Sequence, residues 1–238
     1  MTSGSTDLEK RLDAWFAGWT ALRSYTTARE GGHHAALRMD RSGDWEYFIC
    51  DPDPEAFAQL AAVACRSADR ALSVLGPDIH RYVKLAHAAG MGMLSTSEQM
   101  MLVRMESQDN QDPFLSDPEL TLQVTRMGGR RAASTCQARF SASIVNDSLV
   151  LASGKVAVYG EYAVFDQIET HAEHRHRGYG MLLMQSLTAR AKEYPVTTGL
   201  LLASTDGQRL YYKMGWRSIS PVTVLVPRAQ LERTLSGQ

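Results

Sequence analysis

The chain has 238 residues, 44% of them hydrophobic, and a formal net charge of −1, a length that permits one large domain or two small ones with a buried core. The balanced charge, without a long basic run, argues against a nucleic-acid partner. Three widely spaced cysteines form no metal or redox motif, and no apolar stretch reaches the roughly 18 residues of a membrane span, so a cytoplasmic protein with reduced cysteines is expected.

The first half of the chain is predicted to alternate helices and strands. An apolar stripe at helical spacing predicts a helix over about 7–23, with Thr6 and Glu9 as a capping box. The glycines of the stretch 90–92 (GMG) are interpreted as turn residues. Further predicted elements are strands around 35–39 and 46–50, a helix from Asp53 to about 69, a strand at 71–75, a helix at 78–89 and a strand at 99–105.

A domain boundary is predicted at 107–118 (SQDNQDPFLSDP), which is rich in acidic, amide and proline residues and lacks periodicity. It separates an N-terminal α/β domain (1–110) from a second domain (117–238). The predicted elements of the second domain are a strand at 120–125, a helix within 131–145, a hairpin of 148–152 and 156–159 turning at Ser153-Gly154, a strand at 162–170, a helix at 181–192, a strand at 199–203, a helix at 206–214 and a closing strand at 222–226.

The most informative stretch is 175–180 (RHRGYG), which joins a predicted strand to an amphipathic helix. Its two glycines lack Cβ atoms, and the first turn of a helix presents unpaired amides and a positive dipole end, so the stretch predicts an anion site. A nucleotide-triphosphate loop would continue with Gly-Lys-Ser/Thr, but Met181 follows here. A dinucleotide fingerprint would need a third glycine where Leu183 stands.

The pattern Arg-x-x-Gly-x-Gly resembles the acyl-CoA loop of the GCN5-related N-acetyltransferase (GNAT) superfamily. Residues 210–216 (LYYKMGW) are similar to the family signature of a tyrosine four residues before a glycine-aromatic pair. The resemblance covers about 162–216. It implies an α/β fold with a mixed, mostly antiparallel central sheet flanked by helices. The alternation over 35–105 resembles a degenerate second half of a tandem form, and a generic α/β domain fits it nearly as well.

The resemblance also implies roles for individual residues. Tyr211 matches the general acid, while Tyr212 is the less favoured acid. Asp166 is weakly favoured as the base, since strand alternation places it and Glu169 on opposite faces; a carboxylate bonded to backbone or held near Arg175 is an equal alternative. The residues expected to bind acetyl-CoA are Ile168, Glu169, Thr170, Arg175, His176, Arg177, Gly178, Tyr179, Gly180, Met181 and Ser204, the last standing where the family often has asparagine.

The implied function is an N-acetyltransferase that moves acetyl from acetyl-CoA to a primary amine by direct attack. The alternative is a non-catalytic acyl-CoA-binding sensor or interaction module. No metal is expected, because the arginines beside His171, His174 and His176 would repel a cation. The expected partner is a small-molecule or peptide amine, with no nucleic acid and no membrane, and a homodimer is compatible. The family usually has two helices between its first two strands, and these form much of the acceptor pocket. The C-terminal half has room for one, so the N-terminal half is expected to supply the missing wall of that pocket.

Overall fold

The computed structural model describes residues 3–128 and 136–236, and these form helices around one sheet. The helices are α1 (Ser3–Arg23), α2 (Pro54–Ala64), α3 (Ile79–Ala88), α4 (Tyr179–Ala191), α5 (Thr205–Lys213) and α6 (Arg228–Ser236). The strands are β1 (Thr26–Glu30), β2 (His33–Leu37), β3 (Trp45–Cys50), β4 (Ala71–Leu75), β5 (Met91–Arg104), β6 (Leu120–Arg126), β7 (Cys136–Asn146), β8 (Leu149–Tyr159), β9 (Tyr162–Thr170), β10 (Thr198–Ala203) and β11 (Arg217–Pro227). The strand order is β1-β2-β3-β4-β11-β5-β10-β9-β8-β7-β6, and most pairs are antiparallel, as expected for the fold class.

The same series of elements occurs twice along the chain: β1-β2-β3-α2-β4-α3-β5, and then β7-β8-β9-α4-β10-α5-β11. In each series the third and fourth strands pair in parallel. The final strands are exchanged, because β5 pairs with β10, β11 pairs with β4, and β5 and β11 pair with each other at the centre. The division into domains at 1–110 and 117–238 stays a prediction, and each of these ranges lacks the final strand of its own half of the sheet.

Helix α1 packs on one face of the sheet, and α2 to α5 pack on the other. Alternate residues of a strand point to opposite faces. On β9, Val164 belongs to the core cluster around α1, whereas Phe165 belongs to the cluster around α4. A Cβ atom at Gly18 of α1 would lie 2.5 Å from Cβ of Val164, so α1 crosses the sheet closely at this point. Helices therefore cover both faces of the sheet at β9.

The N-terminal predictions are correct in element type over most of the first half. The cap of α2 is confirmed, since the Ala56 amide donates to Oδ1 of Asp53 at 2.8 Å. The prediction of a capping box at Thr6 is wrong, because α1 begins at Ser3. Several residues near the N-terminus have side chains that can cap a helix. Strand β1 was missed because its mostly exposed residues give no apolar alternation. Residues 91 and 92 belong to β5 and are not turn residues.

In the second half, three predictions are wrong. Residues 136–146 form strand β7, not a helix, since their inward side chains recur with period two; 129–135 lie outside the described residues. Gly154 lies inside β8 and is not a turn residue. Its missing side chain allows close packing, because a Cβ there would lie 2.6 Å from Cδ1 of Ile168 and 2.9 Å from Cδ2 of Leu183. Strand β11 lies inside the sheet and does not close it. Among the residues that the structure describes, no helix is long and apolar enough to cross a membrane.

Candidate active site

Strands β9 and β10 separate to form a wedge. They pair over only three positions, ending at Val164 and Leu200, and from there β9 continues to Thr170 and β10 to Ala203 without mutual pairing, in strands that the structure describes in full. The equivalent strands β3 and β4 pair over five positions. The wedge is therefore open in the C-terminal half and closed in the N-terminal half.

A β-bulge bends β9 inside the wedge. The register with β8 shifts between Ser153 and Lys155, and Gln167 has a φ of 55°. Asp166 contacts α1, while Ile168 packs in the cluster around α4, so the bulge changes which face each later residue meets. The prediction that Asp166 and Glu169 lie on opposite faces is wrong, because Glu169 follows Ile168 and thus returns to the α1 face.

The end of β9 offers polar backbone groups to the wedge. The His171 amide donates to the Leu151 carbonyl on β8 at 2.8 Å. Alternation therefore turns the amides of Ile168 and Thr170 away from β8, toward the open side, and turns the Glu169 amide toward β8. Arg175 Nε donates to the Thr170 carbonyl at 3.5 Å, which is consistent with that orientation. Two of the three predicted backbone contacts are thus available in the wedge.

The loop after β9 forms a glycine turn with unpaired backbone amides. Gly178 is the N-cap of α4 with a φ of 85°, a backbone conformation that favours glycine. The amides of Met181 and Leu182 donate to the Gly178 carbonyl at 3.0 and 3.2 Å. The preceding amides, those of Tyr179 and Gly180, have no acceptor within the helix. These donors lie at the positive end of the dipole of α4, where an anion binds favourably.

Basic side chains surround this turn. Arg175, His176 and Arg177 are all exposed. Within 3–128 and 136–236, Arg177 makes no hydrogen bond or ion pair, so its guanidinium is free for a ligand. Gly180 also has a packing role: a Cβ there would lie 3.0 Å from Cδ2 of Leu210, so this glycine lets α4 approach α5.

Tyr211 lies in α5 and is 6% exposed, whereas Tyr212 is 52% exposed. Burial, and to a smaller extent the negative charge of Asp166, raise the pKa of Tyr211, so its hydroxyl stays protonated at physiological pH. The ring lies 6.0 Å from that of Trp216. Ser204 is the N-cap of α5, where its hydroxyl oxygen accepts from the Gly207 amide at 3.4 Å and its proton can still be donated.

Asp166 is held by Arg23, not by Arg175. Arg23 Nε donates to Oδ2 at 2.6 Å and Nη2 donates to Oδ1 at 3.1 Å. Arg23 Nη1 also donates to Asp40 at 3.3 Å, and the Tyr25 hydroxyl donates to the other oxygen of Asp40 at 2.5 Å. Both oxygens of Asp166 are therefore occupied by one guanidinium. Sequence reasoning missed Arg23, which is 143 residues away in the chain.

Helix α1 covers this face of the sheet beside the wedge. It packs on β8 and β9, and Arg139 of β7 donates to the Ala21 carbonyl at 2.7 Å. The N-terminal half therefore packs on the strands of the C-terminal half, and its contribution to an acceptor pocket stays a prediction.

A second polar group from the N-terminal half lies on the same face. Arg38 pairs with Glu46, and the Ser73 hydroxyl donates to Glu46 at 2.6 Å. Glu98 of β5 is half-buried, and burial followed by the charge of Glu46 raises its pKa, while Arg38 and Arg41 act in the opposite direction. Sequence reasoning missed Glu98 as well, although it is the one charged residue in 91–103 (MGMLSTSEQMMLV).

Three side chains between β9 and the glycine turn come close together. Ligand atoms of His171, Glu173 and His174 lie within 4.8 Å of one another, and Nδ1 of His174 is buried without a partner in the described part of the chain. Glu173 supplies a carboxylate that the sequence interpretation had not grouped with the histidines. The first two residues are exposed, and Arg175 follows directly.

The split sheet, the bulge and the glycine turn define an α/β protein with an open wedge between two parallel strands. A GCN5-related N-acetyltransferase from Kribbella flavida has a TM-score of 0.63 to this chain at 15% identity, covering 95% of this chain and 96% of that one. A tandem GNAT protein from the clavulanic acid biosynthesis pathway has a TM-score of 0.57 at 14% identity, covering 83% and 80%. A GNAT-family protein from Novosphingobium aromaticivorans has a TM-score of 0.55 at 15% identity, covering 90% and 96%.

The chain therefore has the GNAT fold, and the element series that occurs twice fits a tandem arrangement. No profile of a known protein family matches the sequence, and no curated protein sequence does so either. The similarity is thus visible in the structure at identities where sequence comparison finds nothing.

Proposed function

We propose that this protein is an N-acetyltransferase that moves acetyl from acetyl-CoA to a primary amine. The observation that carries the proposal is the wedge between β9 and β10, which opens beside a glycine turn with unpaired amides and ends near a buried tyrosine. A narrow slot with unpaired amides along one side suits a pantetheine arm, and a cationic helix start suits a diphosphate.

In this proposal each part of the wedge binds one part of acetyl-CoA. The backbone of Ile168 and Thr170 bonds the amides of the pantetheine arm. The amides of Tyr179 and Gly180, with the Arg177 guanidinium, bind the diphosphate. The Ser204 hydroxyl is a further donor at the end of β10.

The proposed chemistry takes place where the bulge of β9 faces α5. A neutral amine attacks the thioester carbonyl carbon, and the sulfur leaves as the carbon–nitrogen bond is completed. Tyr211 donates to the departing sulfur, because its raised pKa keeps the hydroxyl protonated. Asp166 acts as a positioning residue, since its ion pair with Arg23 fixes the end of α1 against the bulge.

Two measurements on the purified protein test the proposal. Isothermal titration should show saturable binding of acetyl-CoA, and a thiol reagent should then detect release of CoA across a panel of primary amines. Absence of acetyl-CoA binding would overturn the proposal. Binding without CoA release for any amine would favour the non-catalytic acyl-CoA-binding module.

A further inference from the structure

Glu98 lies one strand away from the wedge. Gln99 pairs with Ala203, so the antiparallel register places Glu98 opposite Ser204, where β10 ends beside the separated part of β9. Met100, two residues along β5, packs in the cluster around α1. Glu98 therefore faces the side of the sheet on which Asp166 meets Arg23. Two strand spacings, about 10 Å, separate β5 from β9 where β10 pairs with both, and the distance increases beyond Leu200 as the wedge opens.

Four carboxylates and three guanidinium groups form a charged network on this side, joined in part by ion pairs and in part only by the effect of their charges. Asp166 and Asp40 are paired with Arg23, and Glu46 is paired with Arg38. Glu98 has no hydrogen bond or ion pair within the described ranges. The members of the network are Arg23, Arg38, Arg41, Asp40, Glu46, Glu98 and Asp166. Within this network Glu98 is the carboxylate with free oxygens, and Lys155, the register partner of Asp166 on β8, adds a further cation to this face.

Other carboxylates near the wedge are less suitable for taking a proton. Both oxygens of Asp166 accept from Arg23, and the two oxygens of Glu46 accept from Ser73 and Arg38. Glu169 is exposed at the rim. A carboxylate that is half-buried and unpaired holds a cation more strongly than an exposed one, because less water competes for it.

We infer that Glu98, supplied by the N-terminal half, binds the ammonium group of the acceptor and takes its proton, and that the acceptor is a primary amine with a single positive charge. This inference rests on the proposed acetyltransferase function. One unpaired carboxylate balances one ammonium group, while Arg23, Arg38 and Arg41 would repel a second. Primary monoamines are therefore expected to be better acceptors than polyamines.

The proton balance is complete without a further reactant. Glu98 takes one proton from R–NH₃⁺, which leaves R–NH₂. The nitrogen lone pair forms the bond to the acetyl carbon, the carbon–sulfur bond breaks, and the sulfur takes the hydroxyl proton of Tyr211. The second proton of the nitrogen restores that hydroxyl as the amide forms. The sulfur leaves protonated as CoA-SH, and the proton held by Glu98 passes to solvent.

The charged groups around Glu98 determine how the rate depends on pH. Glu46 comes from β3, and Arg38 and Arg41 come from the segment between β2 and β3, while Ser204 and Val222, its neighbours on β10 and β11, are uncharged. Because burial and Glu46 raise the pKa of Glu98, the acid limb of the rate profile should lie above the ordinary range of a glutamate.

The test compares Glu98→Gln with Glu119→Gln, a matched change at an exposed residue just before β6. The probes are benzylamine, ethanolamine and glycinamide as monoamines, and spermidine as a polyamine. We expect both variants to bind acetyl-CoA as the unmodified protein does. Turnover of the best monoamine should fall by roughly 10² to 10³ in Glu98→Gln only, and the acid limb should disappear with it.

Each alternative result overturns a different statement. Loss of acetyl-CoA binding by the unmodified protein would refute the proposed acetyltransferase, whereas acetyl-CoA binding with unchanged turnover in Glu98→Gln would refute only the role of Glu98. Faster acetylation of spermidine than of every monoamine would refute the single-charge acceptor. If no amine is acetylated, the three monoamines are titrated into both variants. Equal affinity for Glu98→Gln and Glu119→Gln, or no binding to either, would refute the inference.

Discussion

Asp166 and Glu98 lie on the same face of the sheet in opposite electrostatic surroundings. Asp166 bonds a guanidinium with both oxygens, whereas Glu98 is half-buried and is acted on by the negative charge of Glu46. A paired carboxylate stabilises the fold as an anion, whereas an unpaired half-buried one is a cost that a functional site tolerates. The two side chains should therefore respond to substitution in opposite directions.

Glu98→Gln should raise the melting temperature at about pH 8 and leave it nearly unchanged at about pH 4. The pKa of Glu98 is higher in the folded than in the unfolded chain, so the folded state binds the proton more strongly. The penalty from the charged form is fully present above the folded pKa and disappears as pH falls below the unfolded pKa. Thermal melts at both pH values measure it. A lower melting temperature for the variant at about pH 8 would contradict the assigned environment.

Arg23→Ala should cost about 3 kcal/mol in the free energy of unfolding, because it leaves Asp166 largely buried without its partner; the two side chains are 12% and 16% exposed. Arg104→Ala is the matched control, since its pair with Glu106 is 78% and 77% exposed and should contribute less than about 1 kcal/mol. Urea unfolding of both variants gives the comparison. Equal losses would mean that the Arg23 pair is as weak as a surface pair.

Tyr211→Phe should lower turnover by roughly 10² to 10⁴ and leave acetyl-CoA affinity nearly unchanged, because the ring remains and only the donor is lost. Tyr212→Phe is the control: its side chain is 52% exposed and should have little effect. Steady-state rates with an amine that the unmodified protein acetylates decide the matter. Turnover at the unmodified rate in Tyr211→Phe would show that the sulfur obtains its proton elsewhere.

At the scale of elements, the wedge depends on the β-bulge that interrupts strand β9. The bulge at Gln167 turns Asp166 to α1 and Ile168 to α4, and the glycine turn then starts α4 close to α5. In the first series the equivalent strand β3 stays paired with β4 to its end, and Asp53 caps the helix that follows. An aspartate cap places a negative charge at the start of α2, whereas α4 starts at Gly178 with unpaired amides, so the first series is less suited to bind an anion.

Gly178→Val should abolish acetyl-CoA binding. Gly32→Val, in the turn between β1 and β2, is a matched control: both glycines have a φ of 85° and open space around the missing Cβ. Each change should therefore lower the free energy of unfolding by about 1 to 2 kcal/mol through backbone strain. Titration calorimetry on both folded variants separates strain from site loss. Equal cofactor affinity in the two variants would remove the turn from the binding site.

The elements between 162 and 214 lie within two residues of their sequence-based predictions. Their signals are local: a glycine turn, a helical stripe and a short apolar run. Features that depend on distant pairing could not be predicted in this way. The Arg23–Asp166 ion pair, the position of Glu98 beside β10 and the exchange of final strands each join residues about a hundred positions apart or more, and nothing in the local pattern of either partner specifies the other.

At the scale of the whole molecule, the exchanged strands make the two halves interdependent. Strand β5 fills the place next to β10, and β11 fills the place next to β4, so each half would expose an unpaired sheet edge without the other. The same exchange brings Glu98, from the first half, to the wedge of the second. A half without a cofactor loop therefore contributes both to the stability of the fold and to the proposed acceptor site.

Cutting the connection between the halves should leave the molecule in one piece. The cut belongs next to Phe114, which is 86% exposed, because Gln108 and Asp112 on the same segment bond the second half through Met214 and Ser186. A specific protease site inserted there should give a nicked protein that elutes as one particle, unfolds in a single transition and still binds acetyl-CoA. The strand pairs between the halves are internal to the sheet and need no covalent link to persist. Separation of the two fragments in native buffer, seen by size-exclusion chromatography, would show that the halves are independent domains.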